Sequence, residues 1–149
     1  MARGLYTVHG DAQTISTAIT LLEVTAPSTA ILKVYRAWVE QSSVTTSTTT
    51  RIRLLRKTGT ITGTASPPTP TAVDASASSG VTVKWIATAE GTDGNILIEE
   101  AFNFLNGWVW LPVPEERIIV PPSGIIALKF PAAPTSASWT FGMDYEEIG

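Results

Sequence analysis

The segment Ile31-Leu32-Lys33-Val34-Tyr35-Arg36-Ala37-Trp38-Val39-Glu40 decides the class of fold. Leu32, Val34 and Trp38 fall on one face and Lys33 and Tyr35 on the other, the period-two alternation of a half-buried β-strand. A turn at Pro27-Ser28 precedes it, and the Ser42–Thr50 tract turns the chain after it. Arg51-Ile52-Arg53-Leu54-Leu55-Arg56 then reads as the next strand.

Strand-like runs alternate with turn chemistry in both directions from there. Upstream, Gly4 to His9 reads as part of a short N-terminal arm covering about residues 1–12. Thr14 to Val24 is ambiguous, because Ile15, Ile19 and Leu22 also fit one face of a helix; its threonines at 14, 17, 20 and 25 favour a strand. Downstream, Val81, Val83 and Trp85 alternate with Thr82, Lys84 and Ile86. Gly91 to Asn95 reads as a hairpin turn, Ile96 to Asn103 as a strand and Asn106-Gly107 as a turn. Trp108-Val109-Trp110 leads into Pro112 and Pro114, which suit an edge or a corner. Arg117–Val120, Ile125–Phe130 and Ser138–Glu146 complete the set.

Eight or nine such strands predict an all-β fold, a single antiparallel β-sandwich of jelly-roll type over residues 1–149. The break from about 59 to 80 carries Pro67, Pro68 and Pro70 among Ser, Thr, Ala and Gly. It reads either as a functional loop or as a tolerated surface excursion.

Composition excludes several function classes. The chain is 44% hydrophobic and only 15% charged, against about 25% in an average soluble protein. Hydroxyls carry the polar share, and β-branched Thr, Val and Ile disfavour a helical bundle. Ten Lys+Arg against thirteen Asp+Glu give a net charge of −3, unlike the basic footprint of a nucleic-acid partner. There is no cysteine, hence no disulfide scaffold, thiolate zinc site or Cys nucleophile. No apolar run approaches the ~20 residues that span a bilayer. The opening Met1-Ala2-Arg3-Gly4-Leu5-Tyr6 lacks the apolar core of a signal peptide, so synthesis in a cytoplasm is expected.

Catalytic chemistry is poorly represented, and the expectation is a protein without enzymatic activity, cofactor or metal. His9 is the only histidine and has no evident partner set. The pairs Glu99-Glu100, Glu115-Glu116 and Glu146-Glu147 stand out, but strand neighbours point to opposite faces. A glycan-cleaving site would need two carboxyls facing across a cleft, hence two pairs converging in space. Gly59-Thr60-Ile61-Thr62-Gly63-Thr64 lacks the Lys and helix of a phosphate loop, and Asp93-Gly94-Asn95 lacks the other ligands of a calcium loop.

Charge and aromatic placement are more informative. Residues 31–60 hold Lys33, Arg36, Arg51, Arg53, Arg56 and Lys57 against Glu40 alone. Residues 90–149 hold nine acids against Arg117 and Lys129. Such a split arises either from cross-strand pairing within one sandwich or from complementary faces that meet between molecules. Of five tryptophans, Trp38 and Trp85 alternate as core positions, whereas Trp108 and Trp110 lie beside the Pro-rich corner, to shield the sandwich or anchor an interface. The candidate interface residues are therefore Arg51, Arg53, Arg56, Trp108, Trp110, Glu115 and Glu116.

Several stretches also resemble a known group. They are the Thr-rich opening Thr14 to Pro27, the Leu32–Trp38 strand and Thr48-Thr49-Thr50-Arg51-Ile52-Arg53-Leu54-Leu55-Arg56. Pro114 to Ile119, Pro121-Pro122-Ser123-Gly124, Ile126-Ala127-Leu128 and the terminal Tyr145-Glu146-Glu147 complete the pattern. Over most of its length the chain resembles small tailed-phage virion proteins of β-sandwich or jelly-roll fold, the head decoration or cement proteins. It departs from them in the length of the 59–80 loop and in the short arm. The resemblance implies a structural protein on the capsid exterior that contacts the major capsid protein, favours a trimer and holds capsomers together. It supplies no catalytic residue. The alternative is a carbohydrate- or receptor-binding module of a phage tail or fibre, using Trp108, Trp110 and the 59–80 loop.

Overall fold

The computed structural model describes residues 4–74 and 77–149 and holds eleven strands in them. They are β1 (Gly4–Ile15), β2 (Thr20–Thr25), β3 (Ile31–Gln41), β4 (Thr49–Gly59), β5 (Thr71–Ala72), β6 (Thr82–Trp85) and β7 (Thr92–Asn103). β8 (Trp108–Trp110), β9 (Ile118–Val120), β10 (Ile125–Lys129) and β11 (Ala137–Ile148) follow, with one 3-10 turn at Pro114–Glu116. One sheet runs β5-β1-β11-β3, and β3 pairs on its other side with β8 and with β9. The second sheet runs β6-β2-β10-β4-β7, and every pairing is antiparallel.

Without β5 and β6, the sheets read β1-β11-β3-β8/β9 and β2-β10-β4-β7. The first strand lies beside the last and the second beside the penultimate, the nested order of a jelly roll. The expected all-β jelly-roll sandwich is therefore present, with eleven strands rather than eight or nine. The additional strands are β1, which the sequence suggests is an arm, and β5, which lies inside the 59–80 break.

Four local expectations differ from the structure. The N-terminal stretch is not an arm: β1 pairs with β11 from Gly4 beside Glu147 to Ile15 beside Ala137, and Tyr6 and Val8 are fully buried. Thr14 to Val24 is two strands, because the chain turns between Ile15 and Thr20. Gly91 to Asn95 is no hairpin tip: β7 already begins at Thr92. Gly91 adopts φ +67°, where an added Cβ would run into the Gly59 and Thr60 carbonyls. Trp38 is not a core residue. The register between β3 and β11 slips between Asp144 and Tyr145, so Leu32 and Val34 face the core before the slip and Ala37 and Val39 after it. Trp38 is left on the outer face, over Gly142, with the Arg36 guanidinium 4.4 Å from its ring. Trp85 does pack against the core, half-buried.

The core fills the space between the sheets. Trp139 is fully buried at its centre, ringed by Phe102, Phe104 and Phe130 at centroid distances of 6.3, 5.0 and 4.9 Å. Phe102 and Phe104 stand nearly perpendicular to Trp139, and Phe130 stands at 62° to it, the edge-to-face geometry aromatic pairs prefer.

The described residues of the 59–80 segment beyond Gly59 belong to a strap within residues 60–91. Its limbs meet at the Thr62–Ala89 bridge, β5 extends the first sheet beside β1, and β6 extends the second beside β2. The strap also covers the outer face of the second sheet. Ala127 alternates with the core residues Ile126 and Leu128, so it points outward, yet it is fully buried together with its register neighbours Glu23 and Leu55. Ile61, the bulky apolar residue of that limb, is buried to 1% exposure, and the Ile61 N–H and the Thr60 hydroxyl both donate to Glu23.

Candidate interaction surface

The two long edges of the sandwich are finished differently. Along the β1/β2 side, the strap adds a strand to each sheet and is tied down from both. Tyr6 OH donates to the Ala77 carbonyl at 2.6 Å, and Glu147 accepts from the Ser79 hydroxyl at 2.6 Å and from the Gly80 N–H at 3.0 Å. Tyr145 OH lies 2.7 Å from the same Ser79 hydroxyl, and burial pushes its pKa up. On the other sheet, Lys57 Nζ donates to the Glu90 carbonyl and to Asp93, while Lys129 bridges Glu90 and Asp93.

The opposite side, formed by β7 in one sheet and by β8 and β9 in the other, is open. β7 is twelve residues long, pairs only with β4 and is exposed over most of its length. Of the eight large apolar side chains exposed among the described residues, seven belong to this side: Ile96, Leu97, Leu105, Val109, Leu111, Val113 and Ile119. Leu111 is 73% exposed and Val109 57%; only Val73, beside β5, lies elsewhere. Scattered apolar residues on a surface need no explanation, but a concentration on one edge marks a contact surface.

Between the two sheets at this edge runs a groove of about 370 Å³ lined by Leu97, Ile98, Glu100, Trp110, Glu116 and Ile118. Ile98, Glu100 and Phe102 share the inward face of β7, and Glu100 accepts a hydrogen bond from Trp108 Nε1 at 2.9 Å. Trp108 is thereby held nearly buried, at 5% exposure, while Trp110 stands at the groove. Pro114 starts the 3-10 turn that carries Glu115 and Glu116 past the rim.

The sequence-derived candidates divide accordingly. Trp108, Trp110 and Glu116 converge on the groove, and Glu115 lies exposed beside it. Arg51 and Arg53 stand on the outer face of β4 and both bind Glu99 of β7, at 3.1 Å each. Arg56 turns the other way and donates to the Ile119 carbonyl at 2.9 Å, linking the sheets at one end. Much of the sequence's charge split is thus cross-strand pairing, since basic β4 lies between β10 and acidic β7. The composite site of Trp108, Trp110 and the 59–80 loop is not assembled, because β5 and β8 occupy opposite edges of one sheet.

The residues that sequence reasoning missed are Leu97, Ile98, Leu111, Val113 and Ile118; Glu100 stood out there only as half of an acid pair, outside the candidate interface. The signal was available in β7, whose apolar and acidic residues lie together, but only the topology shows that β7 is an edge strand. Glu100 and Glu116 come from two different acid pairs and line the same groove. No cluster of three or more His, Asp or Glu residues among the described residues is placed to hold a metal ion. His9, bound to Asp11 at 2.7 Å, lies on the outer face near Trp38. No protein-family model, curated protein or solved structure matches this chain.

Proposed function

We propose that this protein is a non-enzymatic structural component that works by docking, and that its docking side is the open β7/β8–β9 edge. The observation that carries this reading is the asymmetry of the sandwich: one edge strapped and tied, the other carrying seven exposed apolar side chains and a groove that Leu97 among them lines. Docking removes that apolar surface from water at about 25 cal/mol per Å². Repetition over a lattice multiplies modest single contacts into slow release.

Together with the resemblance described above, the reading favours a decoration protein on the exterior of a tailed-phage head. It binds the major capsid protein and stabilises the lattice, and its own assembly is a trimer. The experiment adds purified protein to undecorated, expanded phage heads and follows their melting temperature. A raised head melting temperature and co-sedimentation support the reading; an unchanged melting temperature with no co-sedimentation removes it. Light scattering of the free protein checks the trimer.

A further inference from the structure

We infer that the open edge takes its partner by strand addition. The occupant is an extended segment of another protein, with a basic residue between two apolar ones at alternate positions, laid against Ile98–Asn103 of β7. This rests on the reading of that edge as the docking side and specifies how it docks.

The backbone comes first. The β4–β7 register is interrupted between Leu54 and Gly59, so the first half of β7 is irregular, whereas Ile98–Asn103 pairs in unbroken register with Thr49–Leu54. That leaves a regular free edge of six residues, about 20 Å long, ready to pair with another strand.

The side chains then select the occupant. Ile98, Glu100 and Phe102 face inward in that order, so a strand added beside them meets apolar, acidic and apolar neighbours at alternate positions. Glu116 across the groove adds a second carboxylate. Among the nearby cations, Arg51 and Arg53 bind Glu99, Arg56 donates to the Ile119 carbonyl, and the Arg117 guanidinium lies 4.0 Å over the Tyr35 ring with its Nε buried and unbonded. Glu100, Glu115 and Glu116 form no ion pair with any described residue. A Lys or Arg opposite Glu100 supplies the missing charge while its aliphatic stem covers Trp110 and Ile118. On the outer face Glu99 is satisfied, so the intervening partner residues are neutral.

The same charges argue against a second copy of this chain. Antiparallel pairing of β7 with its own equivalent brings Glu100 and Glu116 of both copies into one groove, and like charges across strands repel. Inward-pointing charge on an edge strand also guards against self-association. The acids therefore discriminate against self-pairing as well as attracting a basic strand.

The test uses the full chain, isotope-labelled, with the peptide acetyl-Thr-Val-Thr-Lys-Thr-Val-Thr-amide and its counterpart carrying Glu at the centre. The expected result is saturable NMR shifts and slowed amide exchange confined to Ile98–Asn103 with the Lys peptide. At the same concentrations the Glu peptide should leave the spectrum unchanged. Glu100→Gln, which keeps an acceptor for Trp108 Nε1, should weaken Lys-peptide binding about fivefold or more. Equal binding of the two peptides overturns the inference, as does unchanged exchange at Ile98–Asn103. Protection of those amides by raising the protein's own concentration overturns it too, since the occupant is then another copy. Heads stabilised by a protein whose β7 ignores the Lys peptide retain the docking reading and remove strand addition. Peptide binding without any effect on heads does the reverse.

Discussion

Trp38 shows what a single residue's environment owes to strands far away in sequence. Its position four residues from Val34 and six from Leu32 suits a core residue, and the alternation of β3 holds as far as Val34. The slip that turns Trp38 outward arises opposite Asp144 and Tyr145 in β11, more than a hundred residues later. A period-two pattern is legible up to the first bulge and loses its phase there. The consequence is measurable by denaturant unfolding. Trp139→Ala should cost about 3–5 kcal/mol, as for other fully buried large aromatics. Trp38→Ala should cost about 1 kcal/mol, the scale of an aromatic and cation–π contact on a surface. Equal losses would contradict the outward placement. Gly142→Ala belongs to the same site: its Cβ would occupy the space of the Trp38 ring, and displacing that ring should cost about 1–3 kcal/mol.

At the scale of the element, the strap is where composition misleads most. Its Pro, Ser, Thr and Ala residues read as a loop because the groups that order it lie elsewhere: Glu23 and Lys57 in one sheet, Tyr6, Tyr145 and Glu147 in the other. Within the strap's first limb only Ile61 carries a local hint. The ionic tie makes its stability depend on pH. Burial alone would raise the Glu90 carboxyl, but hydrogen bonds from the Thr20 N–H and hydroxyl, together with Lys129, outweigh it and hold the pKa below its ordinary 4.5. Burial is likewise outweighed at Asp93 by Lys129 and Lys57, which hold it below 3.8. A carboxyl whose pKa is lower in the folded state stabilises fully above its unfolded value and ceases to do so as pH falls through the folded one. Lys129 is shifted upward, its burial outweighed by Asp93 and Glu90, so its contribution persists to above pH 10.5. The strap should therefore stay protected from proteolysis and amide exchange between about pH 5 and pH 10 and loosen below about pH 4. The apolar core between the sheets, which packs around Trp139 and not on the Glu90 contacts, should open later. Simultaneous loss of strap and core protection would contradict a separate tie.

Across the whole molecule, the fold class was legible and the distribution of its edges was not. Alternation and turn chemistry identify strands, and their number identifies a sandwich. Which strands are edges depends on the nested pairing of β1 with β11 and β4 with β7, and this leaves no local mark. The charge split in the sequence follows from that pairing. Arg51→Glu with Arg53→Glu would place three acids together around Glu99, costing about 1–2 kcal/mol of stability in the screened setting of a surface. A loss that shrinks as salt rises from low to high supports intramolecular pairing; a loss independent of salt contradicts it.

The most direct measurement of the docking side compares two surface changes at opposite edges in the head-stabilisation assay. Leu111→Glu with Val113→Glu alters two exposed residues on the open side, and Val73→Glu alters an exposed residue on the strapped side. The wild-type protein and Val73→Glu should raise the melting temperature of undecorated heads equally, whereas the Leu111/Val113 variant, equally stable by itself, should leave it unchanged. Stabilisation by the Leu111/Val113 variant as strong as by wild type, or its loss in Val73→Glu, would contradict docking through the open edge.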